Sequence, residues 1–276
     1  MRPPELFGLF AVPRRLTSVV LIILPFIAVI ALYWIASDIR LADNPQDKLL
    51  PSFRQMGDAV WRMAFEPDVR TGTYLWWADT FASLRRLAIG LSLSAMTALF
   101  LGLNVGMFPG LRFLCLPFLT VVSIIPPLSI LPILFITVGV DEVAKIVLIY
   151  IGTVFLMTRD MTLTTTAIPR EQVTKALTLG ASELGVVYRV IMPQVMPRLI
   201  NALRLSLGAA WLFLIAAEAI VATEGLGYRI FLVRRYLSMD VILPYVAWIT
   251  LLGFTIDWLL RMAVRRFYPW YARQGS

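Results

Sequence analysis

The chain has 276 residues, of which 59% are hydrophobic and only 15% charged, and its formal net charge is +8. A soluble domain cannot hide so much apolar surface, so the composition excludes an ordinary water-soluble protein and indicates a lipid environment. The positive charge fits loops that meet anionic lipid headgroups, and no nucleic-acid motif accompanies it, so we expect no nucleic-acid partner.

Six apolar stretches reach the roughly 20 residues that a membrane-spanning helix needs. The first follows Arg14 and Arg15 and lacks a small-residue cleavage site, so it is interpreted as a retained helix. The predicted fold class is therefore an all-α membrane protein with about six transmembrane helices. The six stretches cover residues 17–37, 84–107, 112–138, 143–166, 195–222 and 241–263.

Residues 38–81, between the first two apolar stretches, are polar by comparison. Within them, Phe53, Met56 and Val60 recur at helical spacing and predict a short amphipathic helix over residues 52–65. Such a helix is suited to the membrane surface.

The third apolar stretch contains the sequence Ile-Ile-Pro-Pro-Leu, in which Pro126 and Pro127 remove two backbone donors. The pair predicts a break or kink near the middle of the membrane. One interpretation is a packing kink. The other is a broken helix beside a translocation path, a device common in transporters.

A charged insert, residues 166–198, separates the fourth and fifth apolar stretches. Pro169 suits the first turn of a helix, and Gly180 suits its end. Ser182 then suits the N-cap of a second helix, with the negative charge of Glu183 at its positive end. We predict two short helices roughly at a right angle.

In the second of these helices an apolar stripe is expected, and Pro193 and Pro197 are expected to end the helix before the next span begins. Periodicity leaves two interpretations open: an amphipathic loop lying on lipid headgroups, or an element that a cytoplasmic partner engages. The stripe consists of Leu184, Val187, Tyr188 and Ile191.

The insert resembles the cytoplasmic loop motif of ABC importer permeases, E-A-A-x-x-x-G followed by I-x-L-P. Thr174 and Lys175 replace the acid and the first alanine, and Met192 replaces the leucine. The matching positions are Thr174, Lys175, Ala176, Gly180, Ile191, Met192 and Pro193.

Three further segments resemble one group of these permeases, the nitrate/sulfonate/taurine/bicarbonate type. Residues 126–132 read P-P-L-S-I-L-P, residues 139–145 read G-V-D-E-V-A-K, and residues 216–227 read A-A-E-A-I-V-A-T-E-G-L-G. Together with the insert, they follow the order of that family over roughly residues 75–271.

The resemblance implies a type I ABC importer permease fold in a bacterial inner membrane, with cytoplasmic coupling helices at residues 169–192. It implies a second permease copy, most simply a homodimer, two cytoplasmic ATPase subunits and an external solute-binding protein. ATP and Mg would bind the ATPase subunits, with no cofactor in this chain. The ATPase-coupling residues would be Thr174, Lys175, Ala176, Gly180, Ala181, Ser182, Glu183, Tyr188, Arg189 and Pro193.

The expected organisation places both termini in the cytoplasm, which the excess of Lys and Arg on that side favours. Its parts are a cytoplasmic N-terminus (1–16), a first transmembrane helix (17–37), an external segment (38–81), a permease core (82–266) and a cytoplasmic tail (267–276).

A second group of residues is assigned to a pathway or gate. Glu218 is an acid in an apolar run, which is costly unless it is paired or faces a cavity. It is interpreted either as a gate residue or as a structural partner of Arg85, of Arg86 or of an arginine in the loop between the fifth and sixth stretches. Asp257 is expected to pair with Arg261 one turn later. The pathway group is Pro126, Pro127, Ser129, Glu218, Gly225 and Gly227.

The resemblance thus implies an importer subunit for a small anionic or zwitterionic solute, such as nitrate, a sulfonate, taurine or bicarbonate. A secondary transporter driven by an ion gradient is the alternative. A membrane enzyme is disfavoured because the chain has no histidine and one cysteine. It also has no G-x-x-x-x-G-K-[ST] phosphate loop, so we expect it not to bind and hydrolyse ATP itself. A purely structural subunit is the last alternative.

Overall fold

A computed structural model describes residues 15–45 and 47–274. Residues in these two ranges form helices and connecting turns, with no strand among them, which confirms the all-α prediction. The predicted cytoplasmic N-terminus lies outside the described residues up to position 14.

Eleven helices are labelled in chain order. Helix α2 begins with a capping box, in which the side chains of Ser52 and Gln55 each accept a hydrogen bond from the other residue's backbone N–H. The helices are α1 Arg15–Asp43, α2 Phe53–Phe65, α3 Leu75–Met107, α4 Pro109–Ile124, α5 Pro127–Thr137, α6 Glu142–Thr166, α7 Arg170–Thr178, α8 Glu183–Val221, α9 Leu226–Val233, α10 Met239–Phe267 and α11 Pro269–Gln274.

Among the described helices, five are long and apolar enough to cross a membrane: α1, α3, α6, α8 and α10. The third predicted stretch forms α4 and α5, which meet at an angle of 94°. The break falls at Ile125 and Pro126, whose backbone is extended, so the prediction of an interruption at the proline pair is confirmed.

Helices α3 and α6 pack through small residues. A Cβ at Gly90, Gly102 or Gly106 would overlap Ile149, Met161 or Thr165 respectively. Between them, the hydroxyls of Ser94 and Thr153 lie 2.7 Å apart. Small residues every fourth position let two helix backbones approach closely without a hydrophobic driving force. The partners advance together along both helices, so α3 and α6 run parallel.

Because α3 and α6 are parallel, the chain between them must return across the bundle, and α4 with α5 is the segment that does so. The bent pair therefore acts as one crossing, which makes six. Helices α3 and α6 finish at the same end of the bundle. We call it the "α7 end", because α7 follows α6 there. The opposite end, where both begin, is the α2 end.

Replacing Gly102 by leucine is expected to prevent stable folding. The side chain would meet both the Met161 side chain and the backbone of α6, and overpacking of this kind typically costs about 1–3 kcal/mol or more. The measurement is the yield and melting temperature of detergent-solubilised protein. Gly208→Leu is the matched control, since a Cβ there meets nothing within 4 Å. Equal stability of the two variants would contradict the packing model.

Candidate functional site

At the α7 end, α7 stops where the sequence predicts. Gly180 has φ +87°, a left-handed conformation that favours glycine. The N–H of Ala181 bonds the carbonyl of Ala176 at 3.1 Å, and the N–H of Gly180 bonds that of Leu177 at 3.0 Å. This pair of bonds is the Schellman termination, so the end of the helix is rigidly defined.

The start of α8 also follows local chemistry. The hydroxyl of Ser182 accepts a hydrogen bond from the N–H of Gly185 at 3.1 Å, which confirms Ser182 as the N-cap. Only Ala181 and the cap residue therefore lie between the left-handed glycine and the new helix. The connection between α7 and α8 has little freedom to move.

The predicted end of this second helix at Pro193 and Pro197 is wrong. Helix α8 continues without interruption from Glu183 to Val221. Its residues Val186–Ile191 form a π-helical turn, and Pro193 lies at the beginning of the α-helical part. Pro193 is the eleventh residue of α8, where a proline ordinarily kinks or breaks a helix. The π-helical turn directly before it has a wider hydrogen-bond register and accommodates the proline, so the helix continues.

The π-helical turn also changes which side chains are buried. Val187 and Ile191 are buried as predicted, but Leu184 and Tyr188 are 60% and 37% exposed. Hydrogen bonds to the fifth residue, such as Met192 N–H to the Val187 carbonyl, rotate successive side chains away from an α-helical stripe. The buried face packs on Leu103 of α3.

The Tyr188 hydroxyl is hydrogen-bonded to a residue of α3 that the sequence analysis missed. The side-chain amide of Asn104 on α3 donates to the Tyr188 hydroxyl at 3.0 Å and to the Phe100 carbonyl at 2.8 Å. An asparagine near the end of an apolar stretch was the available signal. It ties α8 directly to a spanning helix.

Most of the predicted coupling residues are exposed and form what we call the coupling surface. Five of them, Gly180, Ala181, Ser182, Tyr188 and Arg189, line a depression of about 580 Å³. Ala176 and Ala181 are half-buried against the cluster below. Leu179, which the sequence analysis passed over, is 81% exposed. A surface that combines apolar and charged side chains on a rigid support is suited to binding another protein. Its exposed members are Thr174, Lys175, Gly180, Ser182, Glu183, Tyr188, Arg189 and Pro193.

At the α2 end lies a buried ion-pair network. Glu218 of α8 and Arg86 of α3 are both fully buried, and Arg86 Nη1 donates to Glu218 Oε1 at 2.6 Å. Ser83 Oγ and the N–H of Gly227 each donate to the same carboxylate at 2.8 Å. Glu218 is thus the arginine partner that one of the two interpretations describes.

Arg86 also binds Glu142, the first residue of α6. Its Nε and Nη2 each donate to the Glu142 carboxylate at 2.7 Å, a bidentate arrangement. Lys145 adds a third donor at 2.6 Å. One arginine therefore joins α3, α6 and α8 near the α2 end.

A second buried carboxylate, that of Asp79 on α3, holds the loop between α8 and α9. It accepts hydrogen bonds from the N–H of Gly225 at 2.9 Å, from Arg229 at 2.8 Å and from the Tyr245 hydroxyl at 3.0 Å. Gly225 has φ +128°, and a Cβ there would overlap the Glu218 carboxyl group. The glycine gives the backbone the close approach that these bonds require.

The network brings together Glu218, Gly225 and Gly227 from the predicted pathway group. Pro126, Pro127 and Ser129 lie apart from it at the α4–α5 break, with Pro126 and Ser129 exposed. Sequence reasoning missed Asp79 and did not connect Glu142 or Lys145 to Glu218. Acids and bases within apolar stretches were the signal, but their pairing depends on the fold.

In α10, Asp257 binds Arg261 at 2.7 Å, which confirms that predicted pair. Asp257 also binds Arg204 of α8 at 2.8 Å. Among the described residues, no group of three or more His, Cys, Asp or Glu side chains is placed to hold a metal ion.

Comparison with known proteins gives one family. The model of the family described as "Binding-protein-dependent transport system inner membrane component" matches residues 90–268. The taurine transport system permease protein TauC of Escherichia coli is 32% identical over 195 residues, 71% of this chain and 71% of that protein. The nitrate import permease protein NrtB of Leptolyngbya laminosa is 26% identical over 222 residues, 78% of each chain.

The fold also matches a solved structure. An inward-facing conformation of the MetNI methionine ABC transporter aligns with a TM-score of 0.62 and 18% sequence identity. The alignment covers 72% of this chain and 99% of that one.

Proposed function

We propose a specific route by which this chain couples ATP hydrolysis on a partner subunit to transport. The chain belongs to the family of binding-protein-dependent transport system inner membrane components. The chain is the membrane-spanning permease subunit of an ABC importer, a transporter that works with ATPase and binding-protein partners.

The observation that carries the proposal is the rigid helix pair at the α7 end. Its turns are closed by the Gly180 termination and the Ser182 cap, and Asn104 ties it to α3. A stiff element transmits an applied force, whereas a flexible loop absorbs it. We assign its exposed surface to contact with a cytoplasmic ATPase subunit, which would bind the ATP and Mg.

Helix α8 supplies the path for that force. It runs for 39 residues, roughly 58 Å at 1.5 Å per residue, from Glu183 in the coupling surface to Val221, three residues past Glu218. A tilt of α7 and α8 would therefore move the buried network at the α2 end. ATP would shift the balance between the inward-open and outward-open states only if the ATPase subunits bind it more tightly in one state than in the other.

The α4–α5 break supports the assignment of Pro126, Pro127 and Ser129 to the pathway. Irregular backbone at membrane depth is tolerated only where protein covers it or it lines a water-filled cavity. In this subunit Pro126 and Ser129 are exposed. Large exposed apolar residues on α4, among them Phe113 and Phe118, are suited to contact with a second copy, so we propose a homodimer around this break.

The proposed cargo is a small anionic or zwitterionic solute. The proposal rests on relatives named for taurine, aliphatic sulfonate and nitrate transport. We place the chain in a bacterial inner membrane with both termini in the cytoplasm. The placement rests on the family and on the Lys and Arg distribution.

Reconstitution tests the function. The permease in liposomes, with its ATPase and binding protein, is expected to take up labelled taurine, an alkanesulfonate or nitrate only when ATP is present on the ATPase side. Omitting the ATPase is expected to abolish uptake. Uptake by the permease alone under an ion gradient would instead establish the secondary-transporter alternative.

A further inference from the structure

A gap of about 560 Å³ separates α1 from the rest of the bundle near the α2 end. Its walls come from α1, α2 and α10 and carry no charge; they include Ile30, Tyr33, Met56, Gly57, Leu243 and Ala247. Water needs two or more polar partners to occupy a cavity, and these walls offer few. In a membrane the natural filling of such a gap is a hydrocarbon chain.

The gap has a defined shape because α1 is held in place by specific bonds. The Tyr33 hydroxyl donates to the Pro51 carbonyl at 2.7 Å, and the Ser37 hydroxyl donates to the Leu50 carbonyl at 3.0 Å. The ring of Tyr33 also meets that of Phe53 edge-on, with centroids 5.5 Å apart. Elsewhere the apolar surface of α1 is exposed. The gap is thus a cavity whose walls are held in place by hydrogen bonds and ring contacts.

A second, polar chamber of about 300 Å³ lies beside it toward the end of the bundle. Its lining includes Asp47, Lys48, Gln55 and Asp240. The two chambers meet at Pro51, which lines the polar chamber and whose carbonyl binds the tyrosine that lines the apolar one. Together they have the form of a headgroup site above an acyl-chain site.

The charges of the polar chamber indicate which headgroup fits. Lys48 supplies one positive charge, and Asp47 and Asp240 supply two negative charges. Asp47 is bound to Arg40 at 2.5 Å. In the part of the chain that the structure describes, the only ion pair of Asp240 is with Arg62 at 3.8 Å, so its carboxylate retains room for a cationic donor.

The backbone N–H of Leu49 lowers the pKa of Asp47, so that carboxylate is charged at neutral pH. Arg40 already balances Asp47, whereas Asp240 has its arginine only at 3.8 Å. A headgroup carrying only a phosphate would pair with Lys48 but would leave the Asp240 carboxylate without a close cation. A headgroup carrying both a phosphate and an ammonium matches both signs.

We propose that the two chambers bind one phospholipid with a zwitterionic, primary-ammonium headgroup, its acyl chain lying between α1 and α10. The phosphate lies toward Lys48 and the ammonium toward Asp240. The lipid fills the space that separates α1 from α10 and so fixes the first helix to the permease core. This lipid site requires that the chain be inserted in a membrane, but it does not require the proposed transport function.

The test for the acyl-chain site uses the complete transporter, purified in detergent and analysed by native mass spectrometry. The wild-type complex is expected to retain about one phosphatidylethanolamine per permease. Gly57→Leu is expected to lower the retained fraction at least about tenfold, because the new side chain enters the apolar chamber. Gly110→Leu is the matched control, since a Cβ meets nothing within 4 Å at either glycine. Equal retention in both variants would overturn the proposal.

The test for the headgroup site uses Lys48→Gln and Asp240→Asn. Both changes conserve shape, and each is expected to lower retention several-fold, even if Gly57→Leu fails to fold. Lipid-stripped complex is then incubated with vesicles of phosphatidylethanolamine or of phosphatidylglycerol. Preferential recovery of phosphatidylethanolamine supports the site. Preference for phosphatidylglycerol, no preference, or no retained lipid in the wild type would refute it.

Discussion

Replacing Arg86 by methionine is expected to lower the melting temperature of the purified permease by on the order of 10 °C. The change leaves the fully buried Glu218 carboxyl group without the cation that balances it. Breaking a buried pair by removing one partner typically costs about 3–5 kcal/mol, and in a protein of this size about 1 kcal/mol shifts the melting temperature by roughly 2–4 °C. The measurement is a thermal unfolding curve in detergent.

The neighbouring residue provides the control. Arg85 binds the same Glu142 at 3.3 Å, but its side chain is 48% exposed. An exposed pair contributes only about 0–1 kcal/mol, so Arg85→Met is expected to unfold within a few degrees of the wild type. If the two methionine variants were equally stable, the network would not hold the α2 end together.

A double variant separates the cost of an unpaired charge from the value of the pair. Arg86→Met with Glu218→Leu removes both buried charges, and such replacements by apolar residues are often neutral. Most of the lost stability should return, because the partly exposed Glu142 keeps Lys145 and water as partners. A double variant no better than Arg86→Met would show that the ion pair itself, rather than charge balance, is needed.

Replacing Gly180 by tryptophan is expected to abolish ATP-driven uptake while leaving the permease folded. A Cβ at this position meets nothing within 4 Å, so the indole projects outward over the proposed ATPase contact. The left-handed conformation adds a strain of roughly 1–2 kcal/mol, too little to unfold the bundle. The measurement is co-purification of the ATPase subunit, expected to fall at least about tenfold, together with uptake.

Gly72→Trp is the matched control for strain. Gly72 is also left-handed, with φ +67°, and also meets nothing within 4 Å, but it lies between α2 and α3 at the opposite end. The same backbone cost there should leave ATPase binding unchanged. Loss of binding in both variants would mean that strain, not the location of the side chain, is responsible.

Local sequence signals predicted much of the candidate site. The stop at Gly180, the cap at Ser182 and the interruption at Pro126 and Pro127 each depend on the conformation of a residue and its near neighbours. These features therefore appear in the structure where the sequence places them. The error at Pro193 has the same origin: a local rule was applied without the π-helical turn that lets α8 continue.

The amino-acid sequence by itself determined the environment of this protein, the positions of its spanning helices and the rigid helix pair between two of them. These follow from hydrophobic runs and from hydrogen bonds between residues a few positions apart. Only the tertiary structure decided that α3 and α6 run parallel through small residues and that Arg86 neutralises Glu218. Those two residues are 132 positions apart, and a charge in an apolar segment does not reveal which distant charge the fold brings to it.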